Sequence, residues 1–368
     1  MEIFDPGKNR AHYSRAKIIP VFLPHQGCPN RCIYCNQREV TGTSAVRNAE
    51  EVYPLIQRYL ETIQKARKRK QAGFPGRIEV AFYGGNFTGM PVDVQRKFLQ
   101  PAASTVHSGE IDGIRISTRP DYLSRSDVQF LAGYGVSTVE IGVQSLDTRV
   151  LQMAGRAYSE DQVEEAVSLL HQGRFFIGLH LMVGLPGESI EGRFHTVEKV
   201  IRLSPHFVRI HPTLVIKDTE LEHMYRQGNY IPLTLDQAVE VCKELSRRLI
   251  RGGISVARIG LQSIPEMQKS GCIVAGPFHP AMGELVASSI AYDRMQELLA
   301  KRSSQGKRVV IFVPERELSV FLGQRRQNLH RLQRQDCRHQ EVIIVPDRNL
   351  KPGSLRCVEE PAPYAPCF

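Results

Sequence analysis

KIIPVFLPHQGCPNRCIYCNQ, residues 17–37, joins a short apolar, β-branched run to a loop that carries three cysteines. The run reads as a strand. The loop spaces its thiols as Cys28, three residues, Cys32, two residues, Cys35, so one short segment wraps three sulfurs around a single inorganic centre. Structural zinc takes four protein ligands in a closed tetrahedron, whereas a [4Fe–4S] cubane held by only three thiolates keeps one iron open to a further ligand. An open iron is a reaction site. His25, three residues ahead of Cys28, leaves a HisCys3 zinc site as the alternative reading of the same loop.

A disulfide framework fits neither the count nor the length, with eight cysteines spread over 368 residues. The remaining five, Cys242, Cys272, Cys337, Cys357 and Cys367, show no ligand spacing and read as ordinary buried or surface thiols.

Outward from the first strand, similar runs recur at RIEVAFYGG (77–85), GIRIST (113–118), STVEIGVQS (137–145), FFIGLHLMVGLPG (175–187) and HFVRIHP (206–212). Between them lie segments of helical periodicity such as EEVYPLIQRYLETIQKARK and SEDQVEEAVSLLHQ. Strand then helix, six times over, demands parallel strands joined by crossovers. In such α/β folds the C-terminal strand ends and the loops after them carry the chemistry, and the cysteine loop follows the first strand. HPAMGELVASSIAYDRMQELL reads as a helix that packs on this layer, and KRSSQGKR (301–308) as a linker. Beyond it, VVIFV, ERELSVFL, the turn Gly323-Gln324-Arg325-Arg326, QNLHRLQ and EVIIV spell strand, helix, turn, helix and strand. The expected domains are 1–300, a small basic α+β unit over 301–356, and a flexible tail over 357–368.

Hydrophobic residues make up 42% of the chain and charged residues 23%, an ordinary balance for a globular protein. The N-terminus MEIFDPGKNR lacks the apolar stretch of a secretory leader, and no run of apolar residues is long enough to span a bilayer. A cytoplasmic location without a membrane partner is therefore expected. Net charge is +10, and thirteen Lys and Arg against five Asp and Glu fall in 301–356. Such concentration points to a phosphate-rich partner for that end of the molecule. The run KARKRK (65–70) reads as a solvated helix face.

The cysteine loop, with Tyr34 just before its last cysteine, resembles the cluster loop of the radical S-adenosylmethionine (SAM) enzymes. The motifs HQGCPN, FYGGNFTG, STRPD, GVQSLD, LMVGLPGES and PTLVIKDTELE extend the resemblance to the group related to the elongator radical-SAM subunit. The resemblance implies a partial (β/α)6 barrel over residues 17–260, a [4Fe–4S] cluster on Cys28, Cys32 and Cys35, and SAM bound to its fourth iron. It assigns Gly84 and Gly85 to SAM's amino group, Gln144 and Ser145 to its ribose, and Gly184, Leu185 and Leu214 to its adenine. Arg156 matches an arginine that holds SAM's carboxylate in the oxygen-independent coproporphyrinogen oxidases. An electron donor such as ferredoxin or flavodoxin is implied, and RNA such as tRNA as substrate; a porphyrin or protein side chain, or a non-catalytic zinc-stabilised nucleic-acid binder, are the alternatives.

The sequence departs from the group in four ways. Asn86 and Ser117 stand where the group carries glutamate, the first cysteine gap is shorter, and the chain ends before an acetyltransferase domain. In the basic unit, the helix, turn and helix resemble the core of a KH domain, whose glycine loop clamps a nucleic-acid backbone. Arg326 replaces the second glycine, and Arg325, Arg326, Arg331 and Arg334 are the RNA-contact candidates.

Overall fold

The computed structural model describes residues 16–29, 32–41, 45–46, 48–68, 77–261, 271–301, 308–335 and 341–360. Seven strands, all parallel, form the main sheet: β1 (Ala16–Phe22), β2 (Arg77–Tyr83), β3 (Gly113–Thr118), β4 (Val136–Gln144), β5 (Phe176–Val183), β6 (Phe207–Pro212) and β8 (Ser255–Ile259). They pair in chain order, and β1 and β8 are the two edges of the sheet. Parallel neighbours cannot be joined by hairpins, so helices cross from each strand to the next. These are α1 (Gln37–Thr41) and α2 (Val52–Lys68), α3 (Val92–His107), α4 (Arg125–Gly133), α5 (Thr148–Met153) and α6 (Glu160–Gln172), α7 (Ile190–Leu203), then α8 (Glu220–Arg226) and α9 (Leu235–Arg251). The result is the parallel α/β layer that the strand and helix alternation predicts, curled into the partial barrel that the family resemblance implies, with seven strands in place of six.

The helices start where the sequence supplies caps. Ser124, Ser159 and Thr234 each accept a backbone N–H three residues on, and the side chains of Asp127, Gln162 and Gln237 accept the cap residue's own N–H in full capping boxes. Each such cap is worth about 1 kcal/mol. The seventh strand is absent from the six apolar runs. SVARI is short and charged, and pairing with β6 rather than its own pattern makes it extended.

After β6 the chain forms β7 (Val215–Ile216), which pairs antiparallel with β9 (Ile273–Ala275) beside α8. The predicted packing helix is α10 (Met282–Ala300), with Val286, Ala287, Ala291 and Met295 fully buried. It packs on α9 and β8 on one side. On the other it receives the small unit: β10 (Arg308–Pro314), α11 (Leu318–Leu322), α12 (Gln327–Gln335), β11 (Glu341–Asp347) and β12 (Arg356–Glu360). Its sheet has the order β11-β10-β12, parallel on one side of β10 and antiparallel on the other. Ile311, Phe321 and Leu332 join one continuous apolar core with the barrel. Asn328 is buried at that seam and donates to the Ser288 carbonyl at 2.9 Å.

Residues 357–360, expected to open a flexible tail, instead continue β12, because β10 offers a free edge that pairs Val310 with Val358 and Ile311 with Cys357. The tail beyond 360, most of the KRSSQGKR linker, residues 69–70 of the KARKRK run, and Cys337 and Cys367 lie outside the described residues.

Candidate active site

The C-terminal ends of the parallel strands open into a cavity of about 1080 Å³, and Cys28, Cys32 and Cys35 all face it. The loop that carries them is pinned on every side. Cys28 N–H donates to the His25 carbonyl at 3.1 Å and Cys35 N–H to the Cys32 carbonyl at 3.0 Å, two tight turns that gather the thiols. Ile33 ties the loop to both flanks, donating to the Ala154 carbonyl and accepting from Leu221 N–H. His25 Nε2 accepts the Gln37 N–H at 2.9 Å, so one of its two ring nitrogens serves the loop rather than a metal.

The loop also rests on the end of β2, and the glycines there make contact possible. A Cβ on Gly85 would lie 2.4 Å from the Gln26 carbonyl oxygen and 2.7 Å from that of Leu23. Asn86, fully buried, then staples three segments. Its Nδ2 donates to the Gly27 carbonyl at 3.0 Å, and its Oδ1 accepts from Thr118 Oγ1 at 2.7 Å and from Arg119 N–H at 3.0 Å. The asparagine at the glutamate position is thus a bridge between the cysteine loop and the end of β3. A polar side chain in an otherwise apolar, turn-rich stretch was its only signal in the sequence.

Burial, with the neighbouring Cys32 adding to it, pushes the Cys35 thiol up to about 12. Cys28 is raised in the same direction by the same two causes. Thiols so placed stay protonated until a cation draws the proton off, which is what ligation does. Among the described residues no three His, Cys, Asp or Glu side chains close on one point as ligands of a single metal ion must. In a cubane each thiolate grips a different iron, which asks for a wider spread.

Arg156 stands beside the thiols. Its Nη1 lies 3.3 Å from Cys32 Sγ and donates to Tyr34 Oη at 2.9 Å, while Nη2 donates to the Gly142 carbonyl at 2.9 Å. A guanidinium held this way brings a fixed positive charge to the cysteine side of the cavity. Of the other expected residues, Gly84, Gly85, Gln144 and Leu214 line the same cavity, joined by Met182 and Pro212. Gln144 sits at φ 63° where the register of β4 on β5 shifts, a strand-end irregularity that re-aims a side chain.

Ser145, Gly184 and Leu185 do not reach the cavity surface. Ser145 is buried, and its hydroxyl accepts the Asp147 N–H as a turn former. Gly184 gives its N–H to Glu188 Oε2 at 2.7 Å, and its carbonyl accepts from Tyr230 Oη at 2.7 Å. Leu185 packs on Val150 and Ala154 behind Tyr34 and Met182.

Deeper in the barrel lies an ionic network that no motif announced. Glu140 on β4, fully buried, accepts from Arg115 Nη1 at 2.7 Å, Tyr83 Oη at 2.9 Å and Arg209 Nη2 at 3.1 Å, and pairs with His180 Nε2 at 2.5 Å. Arg115 turns its other nitrogen to Glu79 at 2.5 Å. Burial opposes the Glu140 charge, yet Arg209, the His180 hydrogen bond and Arg115 outweigh it and hold the carboxyl well below its usual range. Strand alternation placed Glu140 and Gln144 on the inner face; cross-strand partners decided what each does there.

In the basic unit, Arg325 and Arg326 adopt positive φ of 51° and 61° in the turn after Gly323. Arg325, Arg331 and Arg334 line a second, surface cavity of about 520 Å³, together with His330. Arg331 lies 4.1 Å over the Tyr292 ring of α10, which anchors it by cation–π contact. Arg326 does not line that cavity.

With this geometry in view, the comparisons with known proteins decide the family. The sequence pattern of the radical SAM superfamily matches residues 22–200, and that of the radical SAM C-terminal domain matches residues 205–292. The chain belongs to the radical SAM superfamily. As a radical SAM protein it is accordingly an enzyme. It is similar to a tRNA uridine(34) acetyltransferase of Methanocaldococcus infernus, 28% identical over 304 residues that cover 74% of this chain and 56% of that one. It is also similar to Elongator complex protein 3 of Danio rerio, 27% identical over 255 residues, 58% of this chain and 46% of the relative. The chain thus spans about half the length of the curated relatives it matches. The solved archaeal Elp3 of M. infernus with an N-terminal deletion shares the fold, with a TM-score of 0.59, 22% identity, and coverage of 79% of this chain and 66% of that chain. Among the described residues no helix is long and apolar enough to cross a membrane.

Proposed function

We propose that Cys28, Cys32 and Cys35 hold a [4Fe–4S] cluster, that SAM binds at the strand ends beside it, and that the chain modifies RNA, with tRNA as the substrate class. One observation carries this reading: three thiols, the Arg156 guanidinium and the glycine turn of Gly84 and Gly85 face one cavity at the C-terminal ends of parallel strands. When bound, the two cofactors supply a 5′-deoxyadenosyl radical by one-electron reductive cleavage of SAM.

The protein's share is binding and orientation. Arg156 neutralises a carboxylate beside Cys32, and its contacts to Tyr34 and Gly142 keep it from following the ligand. Gly84 and Gly85 present backbone to an amino group, Gln144 presents a carboxamide to ribose hydroxyls, and Met182 and Leu214 present apolar surface to adenine. Ser145, Gly184 and Leu185 act behind this lining by fixing its turns. The basic unit over 301–356, with Arg325, Arg326, Arg331 and Arg334 around its turn, brings RNA to the barrel of residues 1–300. A ferredoxin- or flavodoxin-like donor supplies the electron, in the cytoplasm. The relatives' names support the RNA reading, since they are a tRNA uridine(34) acetyltransferase and an Elongator protein.

Anaerobic reconstitution tests the core of the proposal. The expected product is a brown protein with about four irons per chain that releases 5′-deoxyadenosine from SAM under a strong reductant. A colourless zinc protein, or undiminished deoxyadenosine release by Cys32→Ala, would refute it.

A further inference from the structure

The surface cavity of the basic unit is lined by Gln324, Arg325, Gln327, His330, Arg331 and Arg334, with no acidic side chain among these described residues. Four of the six come from one helix. Gln327, His330, Arg331 and Arg334 stand at positions i, i+3, i+4 and i+7 of α12, the spacing that shares one face. Asn328 and Leu332 point away from that face into the core, and Asn328 donates to the Ser288 carbonyl of α10 at 2.9 Å. The seam with the barrel therefore fixes the basic face of α12 outward.

These side chains are uncommitted where the arginines of the barrel are not. Among the described residues Arg325, His330 and Arg334 make no hydrogen bond or ion pair, and all three are exposed. Arg331 has one contact, to the Tyr292 ring 4.1 Å from its guanidinium carbon, and Tyr292 is itself only 2% exposed. Arg331 is nevertheless exposed and lines the cavity, so its guanidinium is held by a buried ring on one side and open on another. Arg325 and Arg326 hold left-handed backbone in succession, an unfavourable state for L-residues that concentrates where a side chain must be placed for binding. Guanidinium groups without acidic partners take phosphates. A guanidinium fixed on an aromatic ring offers its open side to a base, and the imidazole and carboxamides can hydrogen-bond base edges. Charge alone favours a duplex, whose phosphates are denser. Stacking favours an unpaired base, because in a duplex each base face is covered by its neighbours.

We propose that this cavity holds one unpaired nucleotide of an RNA strand, with its base on Arg331 and its phosphate between Arg325 and Arg334. That the strand is RNA rests on the proposed function; that the site takes an unpaired nucleotide does not. Tyr292 lies on α10, the helix that packs on α9 and β8. The stacking platform is therefore shared between the basic unit and the barrel.

The test is fluorescence anisotropy of the iron-loaded, full-length protein under anaerobic conditions with three labelled probes: a short RNA of mixed sequence, the same strand paired to its complement, and an abasic strand of equal length. The single strand should bind roughly tenfold more tightly than the duplex. Arg331→Lys keeps the charge and loses the planar group, so it should weaken the single strand roughly tenfold while leaving the salt slope unchanged. The abasic strand should bind the wild type as weakly as the intact strand binds this variant, and the variant should not tell the two strands apart. Arg334→Gln should instead lower the salt slope by about 0.7, one phosphate contact to a single strand. Arg331 packs on Tyr292, but Arg334→Gln and the abasic strand disturb no core contact, so the result does not depend on the stability of one variant. Wild-type circular dichroism spectra show that the variants have folded. A duplex bound as tightly as the single strand, or Arg331→Lys and wild type of equal affinity, would overturn the site. Mononucleotides that compete at the strand's own concentration would make the ligand a free nucleotide and overturn the strand. A protein that binds single strands as described yet yields no deoxyadenosine from SAM would overturn the proposed function and leave the nucleotide site standing.

Discussion

Replacing Glu140 by glutamine tests whether the barrel interior is held by one charged hub. The wild-type carboxylate is fully buried and takes hydrogen bonds or ion pairs from Arg115, Arg209, Tyr83 and His180, at distances from 2.5 to 3.1 Å. Glutamine keeps the volume but removes the negative charge and turns one acceptor into a donor. Arg115 keeps Glu79 at 2.5 Å, so the uncompensated positive charge falls mainly on the Arg209 side. Breaking a buried ion pair by removing one partner costs about 3–5 kcal/mol. At roughly 2–4 °C per kcal/mol for a chain of this order of size, the melting temperature should drop by about 10 °C.

Circular dichroism melts of wild type and Glu140→Gln, run from pH 8 downward, check both the size and the sign. The native carboxyl is held below its ordinary value of 4.5, so the folded state favours the charged form. Its stabilisation is therefore full above the unfolded pKa and is lost only as pH falls through the lower, native one. The gap between the two proteins should stay constant from pH 8 to about 5 and close only in stronger acid. Equal melting temperatures at pH 7, or a gap that closes between pH 7 and 6, would refute the hub.

Three further outcomes are expected. Gly85→Ala forces a methyl group to within 2.4 Å of the Gln26 carbonyl oxygen, which displaces the cysteine loop at a cost of about 1–3 kcal/mol; iron content measured after reconstitution should fall while far-ultraviolet circular dichroism is unchanged. Arg156→Lys loses the fork that spans Tyr34 and Gly142 and should weaken SAM binding roughly tenfold or more, read by calorimetry; unchanged affinity would remove Arg156 from the site. Replacing Arg325 and Arg326 together by glutamate should weaken tRNA binding and lower its salt dependence by about one unit of slope for each phosphate no longer neutralised, whereas an unaltered slope in a filter-binding series would assign the turn a purely structural role.

The cysteine spacing, the repeated apolar runs and the crowding of Lys and Arg into 301–356 are local properties, legible in the chain before it folds. They suffice for a parallel α/β layer, for a cysteine-rich loop at the C-terminal ends of its strands, and for a basic unit of helices and strands. Thiol spacing constrains what one short loop can grip, and alternation constrains which face of a strand is buried. Tertiary structure alone decided which residues behind the motifs hold them in place. Asn86 bridges the cysteine loop to β3, and Glu140 gathers Arg115, Arg209 and His180, because strand register brings together residues up to 69 positions apart. The same register made SVARI a seventh strand, while local turn hydrogen bonds and packing took up Ser145, Gly184 and Leu185 behind the cavity lining. A buried polar side chain takes its role from whichever partner the neighbouring strand supplies, and that partner is not encoded in its own stretch of sequence.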